Sequence, residues 1–126
     1  MMPARSSTSA GATYLERDAR IRELRALARR LAQRLPEIRR VILYGSTVTG
    51  IPTPRSDADL LVHVASSRYQ NPADRVPEVM KAMRPVGFPL DVRVYTTEEL
   101  DDPAIANSSI VRTALRDGID LLQPVK

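Results

Sequence analysis

Apolar positions recur at helical spacing through the first third of the chain. Ile21, Leu24, Ala28, Leu31 and Leu35 fall on one face with Leu27 beside them, and arginines fill the other. Thr13 and Glu16 have the spacing of a capping box and Pro36 stops the run, so the pattern predicts a first helix over about residues 14–35. The period then changes. Arg40–Tyr44 reads as a short buried strand and Ala58–Val64 as a second, separated by a stiff loop with Gly50, Pro52 and Pro54. Asn71-Pro-Ala-Asp74 carries helix-start chemistry, and a helix is expected over about residues 75–84 with Pro77 in its first turn. Leu90–Tyr95 alternates, with Leu90, Val92 and Val94 on one face and Asp91, Arg93 and Tyr95 on the other, which predicts a third strand. Thr96 and Glu99 suggest another capping box and a short helical turn interrupted at Pro103. Asn107 is placed to cap a helix holding Ile110, Val111, Ala114 and Leu115, with Gly118 as its C′ residue, before a last short strand over Ile119–Leu122. The order of elements implies an α/β fold: a small mixed sheet of three to five strands with helices mainly on one face.

Composition narrows this only slightly. The 126 residues suit one domain, expected over residues 13–126 behind a small, polar, flexible tail at 1–12. No apolar run approaches the roughly 20 residues that span a bilayer, and the N-terminus lacks a secretory h-region. The absence of cysteine excludes disulfides and Cys-ligated zinc and fits a reducing, cytoplasmic location. The net charge of +4 changes the picture more, because the excess is local. Nine arginines crowd residues 17–40. A solvated helix face with Glu16–Arg20 and Asp18–Arg22 pairs at i,i+4 is the preferred reading, and a nucleic-acid surface is the alternative.

Candidate chemistry concentrates in Val41-Ile-Leu-Tyr-Gly-Ser-Thr-Val-Thr-Gly50 and Ser56-Asp-Ala-Asp-Leu-Leu-Val-His63. Asp57 and Asp59 must point the same way on a strand, roughly 6–7 Å apart. The Gly45-Ser46 turn can offer backbone N–H groups and a hydroxyl to a phosphate. If the second and third strands are neighbours, Asp91 can join the pair. Like charges about 5 Å apart repel by roughly 3 kcal/mol at an effective dielectric near 20, so such a cluster calls for cations. All-oxygen ligands select Mg²⁺ or Mn²⁺, and a two-metal site is the natural form. Other readings stay open. A Ser-Asp pair can simply cap a turn, and Arg93 can pair with Asp91 or Asp59 as readily as with phosphate. His63, the single histidine, reads as structural, and Tyr44 and Tyr95 as packing residues. No Gly-x-Ser-x-Gly elbow supports Ser46 as a nucleophile.

Taken together, Gly45-Ser46 with Gly50, Ser56-Asp57-Ala58-Asp59-Leu60-Leu61-Val62, and Asp91 within Leu-Asp-Val-Arg-Val-Tyr resemble the minimal nucleotidyltransferases of the DNA polymerase beta superfamily. The likeness covers about residues 38–122, including a similar closing helix at 110–118. It implies a polymerase beta-like fold in which Asp57, Asp59 and Asp91 are catalytic and bind metal, Asp91 also helping to deprotonate the nucleophile. It implies too that Gly45, Ser46, Ser56 and Arg93 contact the nucleotide. ATP is the expected substrate with Mg²⁺ or Mn²⁺ as cofactor, and AMP transfer to a hydroxyl the expected reaction. The small size resembles antitoxins paired with a helical HEPN-type ribonuclease toxin, whose tyrosine would accept the AMP. The rival is a catalytically weak or inactive binding module that neutralises its partner sterically. The chain departs from the family in one respect: Thr47, Val48 and Thr49 stand where arginines commonly follow the Gly-Ser turn. Threonine hydroxyls cannot neutralise phosphate charge as a guanidinium does, and Arg55 or Arg93 is the expected substitute.

Overall fold

A computed structural model describes residues 4–49 and 57–124, with side chains described from Glu16 onward except that of Thr49. Gly50, Arg55 and Ser56, all singled out above, lie outside the described residues. Helix α1 spans Ala4–Arg34, strand β1 Ile38–Tyr44, the short helix α2 Ser46–Thr49 and strand β2 Ala58–Val64. A 3₁₀ turn at Pro72–Arg75 leads into α3, Val76–Met83. Strand β3, Leu90–Thr96, is followed by three short helices, α4 at Thr97–Leu100, α5 at Pro103–Ala106 and α6 at Ser109–Asp117, and by β4 at Ile119–Asp120. The sheet order is β3-β2-β1-β4, with β1 antiparallel to both neighbours and β2 parallel to β3.

The sheet is mixed, as the order of elements predicted, and its two faces are covered differently. Leu24, Leu27, Ala28 and Leu31 of α1 and Val79, Ala82 and Met83 of α3 pack on Val41, Leu43, Leu60, Val62, Val92 and Val94. The opposite face is covered more thinly. There Val111 and Ala114 of α6 meet Ile42, Tyr44 and Leu61. A bulge at Arg39 reconciles β1 with these faces, because the register passes from Ile38 opposite Val64 to Arg40 opposite His63. Without that extra residue, strict alternation from Val41 would turn Arg39 into the core and Ile38 out of it.

Two boundaries differ from the sequence pattern. Helix α1 begins at Ala4, so residues 4–12, read above as tail, continue the helix and Thr13–Glu16 lies inside it. A Ser/Thr-x-x-Glu spacing caps only where the chain enters a helix; within a helix those N–H groups already have partners. At the other end Ser108, not Asn107, caps α6 by accepting from Val111 N–H, while Asn107 closes α5. Val111 and Ala114 are buried whereas Ile110 and Leu115 are exposed, so the apolar face of α6 is narrower than expected. Gly118 is not left-handed (φ −75°). Glycine is required there by proximity: a Cβ would overlap Ala114 O and the Ile42 side chain.

Candidate active site

Tyr44, Asp59 and Asp91 form one transverse row across three strands, since Tyr44 pairs with Asp59 and Asp59 with Asp91. Paired residues on adjacent strands project to the same side, with backbones about 4.8 Å apart. Tyr44 belongs to the cluster under α6, so the carboxylates of Asp59 and Asp91 emerge on that face. Asp57 sits one residue before β2 begins and is exposed. Its charge still reaches the row. Burial, then the negative charges of Asp91 and Asp57, push the Asp59 carboxyl above the ordinary Asp range, with Arg93 opposing.

Gly45 closes the row from the side of β1. Its φ of +81° lies in the left-handed region, and a Cβ there would overlap the Asp59 carboxylate. Conformation and proximity thus both demand glycine, and the chain reverses hard against the central acid. Ser46 follows, exposed at the start of α2. The next two positions turn away from the carboxylates. Thr47 is 1% exposed, its Oγ1 having no partner among the described residues, and Val48 packs against the main core. Of the three residues read above as replacing arginines, Thr47 is therefore buried and Val48 packed on the core.

Two other arginines approach this corner. Arg17 of α1 donates from Nε to Thr47 O at 3.1 Å and from Nη2 to Val48 O at 3.2 Å, holding the carbonyl end of α2. Arg93, on the carboxylate face, lies beside the Tyr44 phenol, and its buried Nε has no partner among the described residues. Tyr44 is buried in the cluster under α6, as expected of a packing residue, and its phenol is pushed up chiefly by burial, with Arg93 opposing. His63 lies two rows away. Its Nδ1 accepts from Arg40 Nε at 3.0 Å and its Nε2 meets Thr97 Oγ1 at 2.7 Å, as expected of a structural residue.

An all-oxygen set fits a hard divalent cation, and the repulsion that raises Asp59 is charge that such an ion would neutralise. Asp59 and Asp91, in register on neighbouring strands, are the pair that would hold it, with Asp57 beside them. Among the described residues no three Asp, Glu, His or Cys side chains are already drawn into a cage around one point. Asp120 stays apart: it pairs with Ile42 across the far edge, and its carboxylate accepts from Leu122 N–H.

Sequence patterns missed two supports. The charge pattern places Arg17 among solvated residues, whereas it binds two carbonyls of α2. Arg75 and Glu99 form a bidentate pair (2.6 and 3.1 Å) under the far end of β3, and Arg75 also donates to the carbonyls of Tyr69, Gln70 and Val94. Glu99 was read as a capping residue, which it is. No local spacing announces its second partner 24 residues away.

Residues 24–120 match the nucleotidyltransferase domain family. Among solved structures, one from Sulfolobus solfataricus, to which nucleotidyltransferase activity has been assigned by inference, superposes with a TM-score of 0.58. It is 20% identical, and the match covers 86% of this chain and 85% of that one, so the likeness speaks for the fold. No curated protein matches the chain. With a family match running from the middle of α1 to β4, and with glycine turn, paired aspartates and third aspartate all inside it, the chain belongs to the nucleotidyltransferase domain family.

Proposed function

We propose that the protein transfers AMP from Mg-ATP to a hydroxyl on a partner protein, releasing pyrophosphate. The observation that carries this reading is the row Tyr44–Asp59–Asp91, with Gly45 pressed against its central carboxylate. Asp57, Asp59 and Asp91 would hold divalent metal, which supplies charge neutralisation for the triphosphate. Gly45 and Ser46 would cradle the triphosphate, and Arg93, beside Tyr44, would bring its guanidinium charge to it from next to the carboxylates. In the reaction the acceptor oxygen bonds to the α-phosphorus as the bond to the pyrophosphate oxygen breaks. The hydroxyl proton passes to the Asp91 carboxylate. Most of the rate then comes from positioning and fixed charge.

The acceptor we propose is a tyrosine of a helical HEPN-type ribonuclease. Every element described either builds the sheet or covers it, which leaves none of them to bind the acceptor. The experiment is co-expression with such a ribonuclease, reading its intact mass and its toxicity together. Wild type should add one AMP unit and silence the toxin. Asp91→Asn should form the complex yet transfer about 10²–10⁴-fold more slowly, the usual worth of general-base help. The inward-turned Thr47 and Val48 favour one second reading, that of a steric inhibitor with a weakened site. Full neutralisation by Asp91→Asn, with no added mass on the toxin even from wild type, would establish that reading instead.

A further inference from the structure

The free edge of β3 has an unusual arrangement of backbone groups. Ala58 N–H donates to Pro89 C=O, which fixes the parallel ladder so that Asp91, Arg93 and Tyr95 turn their backbone groups toward β2. Leu90, Val92, Val94 and Thr96 therefore turn theirs outward. Two of those outward groups are taken: Val94 C=O by Arg75, and Thr96 N–H by Glu99. Val94 is otherwise buried, 1% exposed, while the N–H and C=O of Val92 have no partner among the described residues. They open on a cavity of about 420 Å³ that wraps the strand edge. Pro72, Ala73 and Val76 form its apolar wall on one side, while Asp91, Arg93 and Tyr95 line the other.

We propose that this edge receives a short extended segment of the acceptor protein as an added strand, which presents the hydroxyl to Asp91. The proposal rests on the transfer reading above and names the form in which the acceptor arrives. An edge strand with open donors and acceptors pairs with an extended peptide, and side-chain pockets then set the specificity. The Arg75–Glu99 pair closes the far end of the edge, so the added strand is short and lies at the Asp91 end. A residue opposite Asp91 on such a strand projects to the same face, extending the row Tyr44–Asp59–Asp91 by one position. Its Cβ would stand about 5 Å from that of Asp91, within reach of a tyrosine or serine oxygen. The residues flanking it turn the other way, toward Pro72, Ala73 and Val76, and so should be apolar. Transfer forms the bond from the segment's oxygen to phosphorus, expels pyrophosphate and leaves the proton on Asp91.

The test uses ¹⁵N-labelled protein and a short blocked peptide with Val-Tyr-Val at its centre. Amide exchange at Val92 should slow several-fold on adding the peptide. An analogue N-methylated around the tyrosine should give no protection. Ala73→Trp, which fills the cavity from a position whose own hydrogen bonds are backbone ones, should abolish the effect and leave the spectral response to Mg-ATP unchanged. Protection that is equal with the methylated peptide, or absent with both, overturns the proposal. So does competition between Mg-ATP and peptide for Val92, which would assign the cavity to the nucleotide. Protection that grows with protein concentration alone, with a dimer in solution, would assign the edge to a second copy. Failure of Mg-ATP to perturb Gly45 and Ser46 while the peptide still protects β3 strikes the transfer reading and leaves the edge site standing.

Discussion

At the scale of single residues, the site holds its acids under electrostatic pressure. Asp59 is lifted above the ordinary Asp value by burial and by two acidic neighbours, so its charged form opposes folding. The sign follows directly. A carboxyl whose folded pKa exceeds its unfolded value of 3.8 destabilises the fold above that folded value and ceases to do so as pH falls through it. Asp59→Asn should therefore raise the melting temperature without added metal, abolish the stabilisation given by Mg²⁺ with ATP, and abolish transfer. A lower melting point in calorimetry would show that the carboxylate is stabilising. His63 works the opposite way. Burial first, then Arg40 and Arg39, lower its pKa below 6.5, Asp101 opposing, and its ring faces the Thr97 hydroxyl. The neutral ring belongs to the folded state, so its contribution is complete above about pH 6.5 and is lost as pH falls through the folded value. Melting curves from about pH 7.5 to about pH 5 should fall less steeply for His63→Gln than for wild type. Equal slopes would remove His63 from the acid response.

Among elements, stability depends on arginines that tie separate segments together. Arg30 donates to Met83 O and Pro85 O and Arg34 to Ala82 O and Arg84 O, so α1 holds the carbonyl end of α3. Arg25 does the same for Leu121 and Gln123 after β4. Arg75 is the most deeply placed, 5% exposed with four residues as acceptors. Arg75→Ala strips Glu99 of its cation and three carbonyls of a donor, and removing one partner of a buried pair costs about 3–5 kcal/mol. Chemical denaturation should register that loss with no change in m-value. Arg17→Ala should cost less in stability, about 1 kcal/mol, since its two bonds are partly exposed. It frees the carbonyl end of α2, so nucleotide affinity should fall more than stability does. An unchanged Kd for Mg-ATP would separate α2 from the nucleotide.

For the whole molecule, the same arginines change the meaning of the net charge. Arg17, Arg25, Arg30 and Arg34 are directed at main-chain carbonyls, and Arg20 stacks on the Phe88 ring at 4.6 Å. Much of the basic face of α1 is thus turned to main-chain carbonyls of other segments, which leaves less of it as an open phosphate-binding stripe. Binding to arbitrary RNA should be weak with a shallow salt slope, because few guanidiniums are free to displace counterions. A steep slope in a filter-binding titration would contradict this. No helix among the described residues is long and apolar enough to cross a membrane.

The sequence by itself determined the elements whose signals are local. Strand β2 was legible to the residue, and so were the alternation of β3, the Asn71 and Thr96 caps and the apolar stripe of α1, because period and cap chemistry act within a turn or two of the chain. Gly45, Asp57, Asp59 and Asp91 were legible as candidates because each carries its chemistry in its own side chain or lack of one. Tertiary structure alone decided what depended on register. It set Asp91 opposite Asp59, brought Gly45 against that carboxylate, turned Thr47 inward and tied Arg75 to Glu99. It also put β3, with Val92, at the edge of the sheet, since which strand lies at an edge follows from sheet order. These contacts join residues far apart in the chain, and no local pattern encodes the pairing that brings them together.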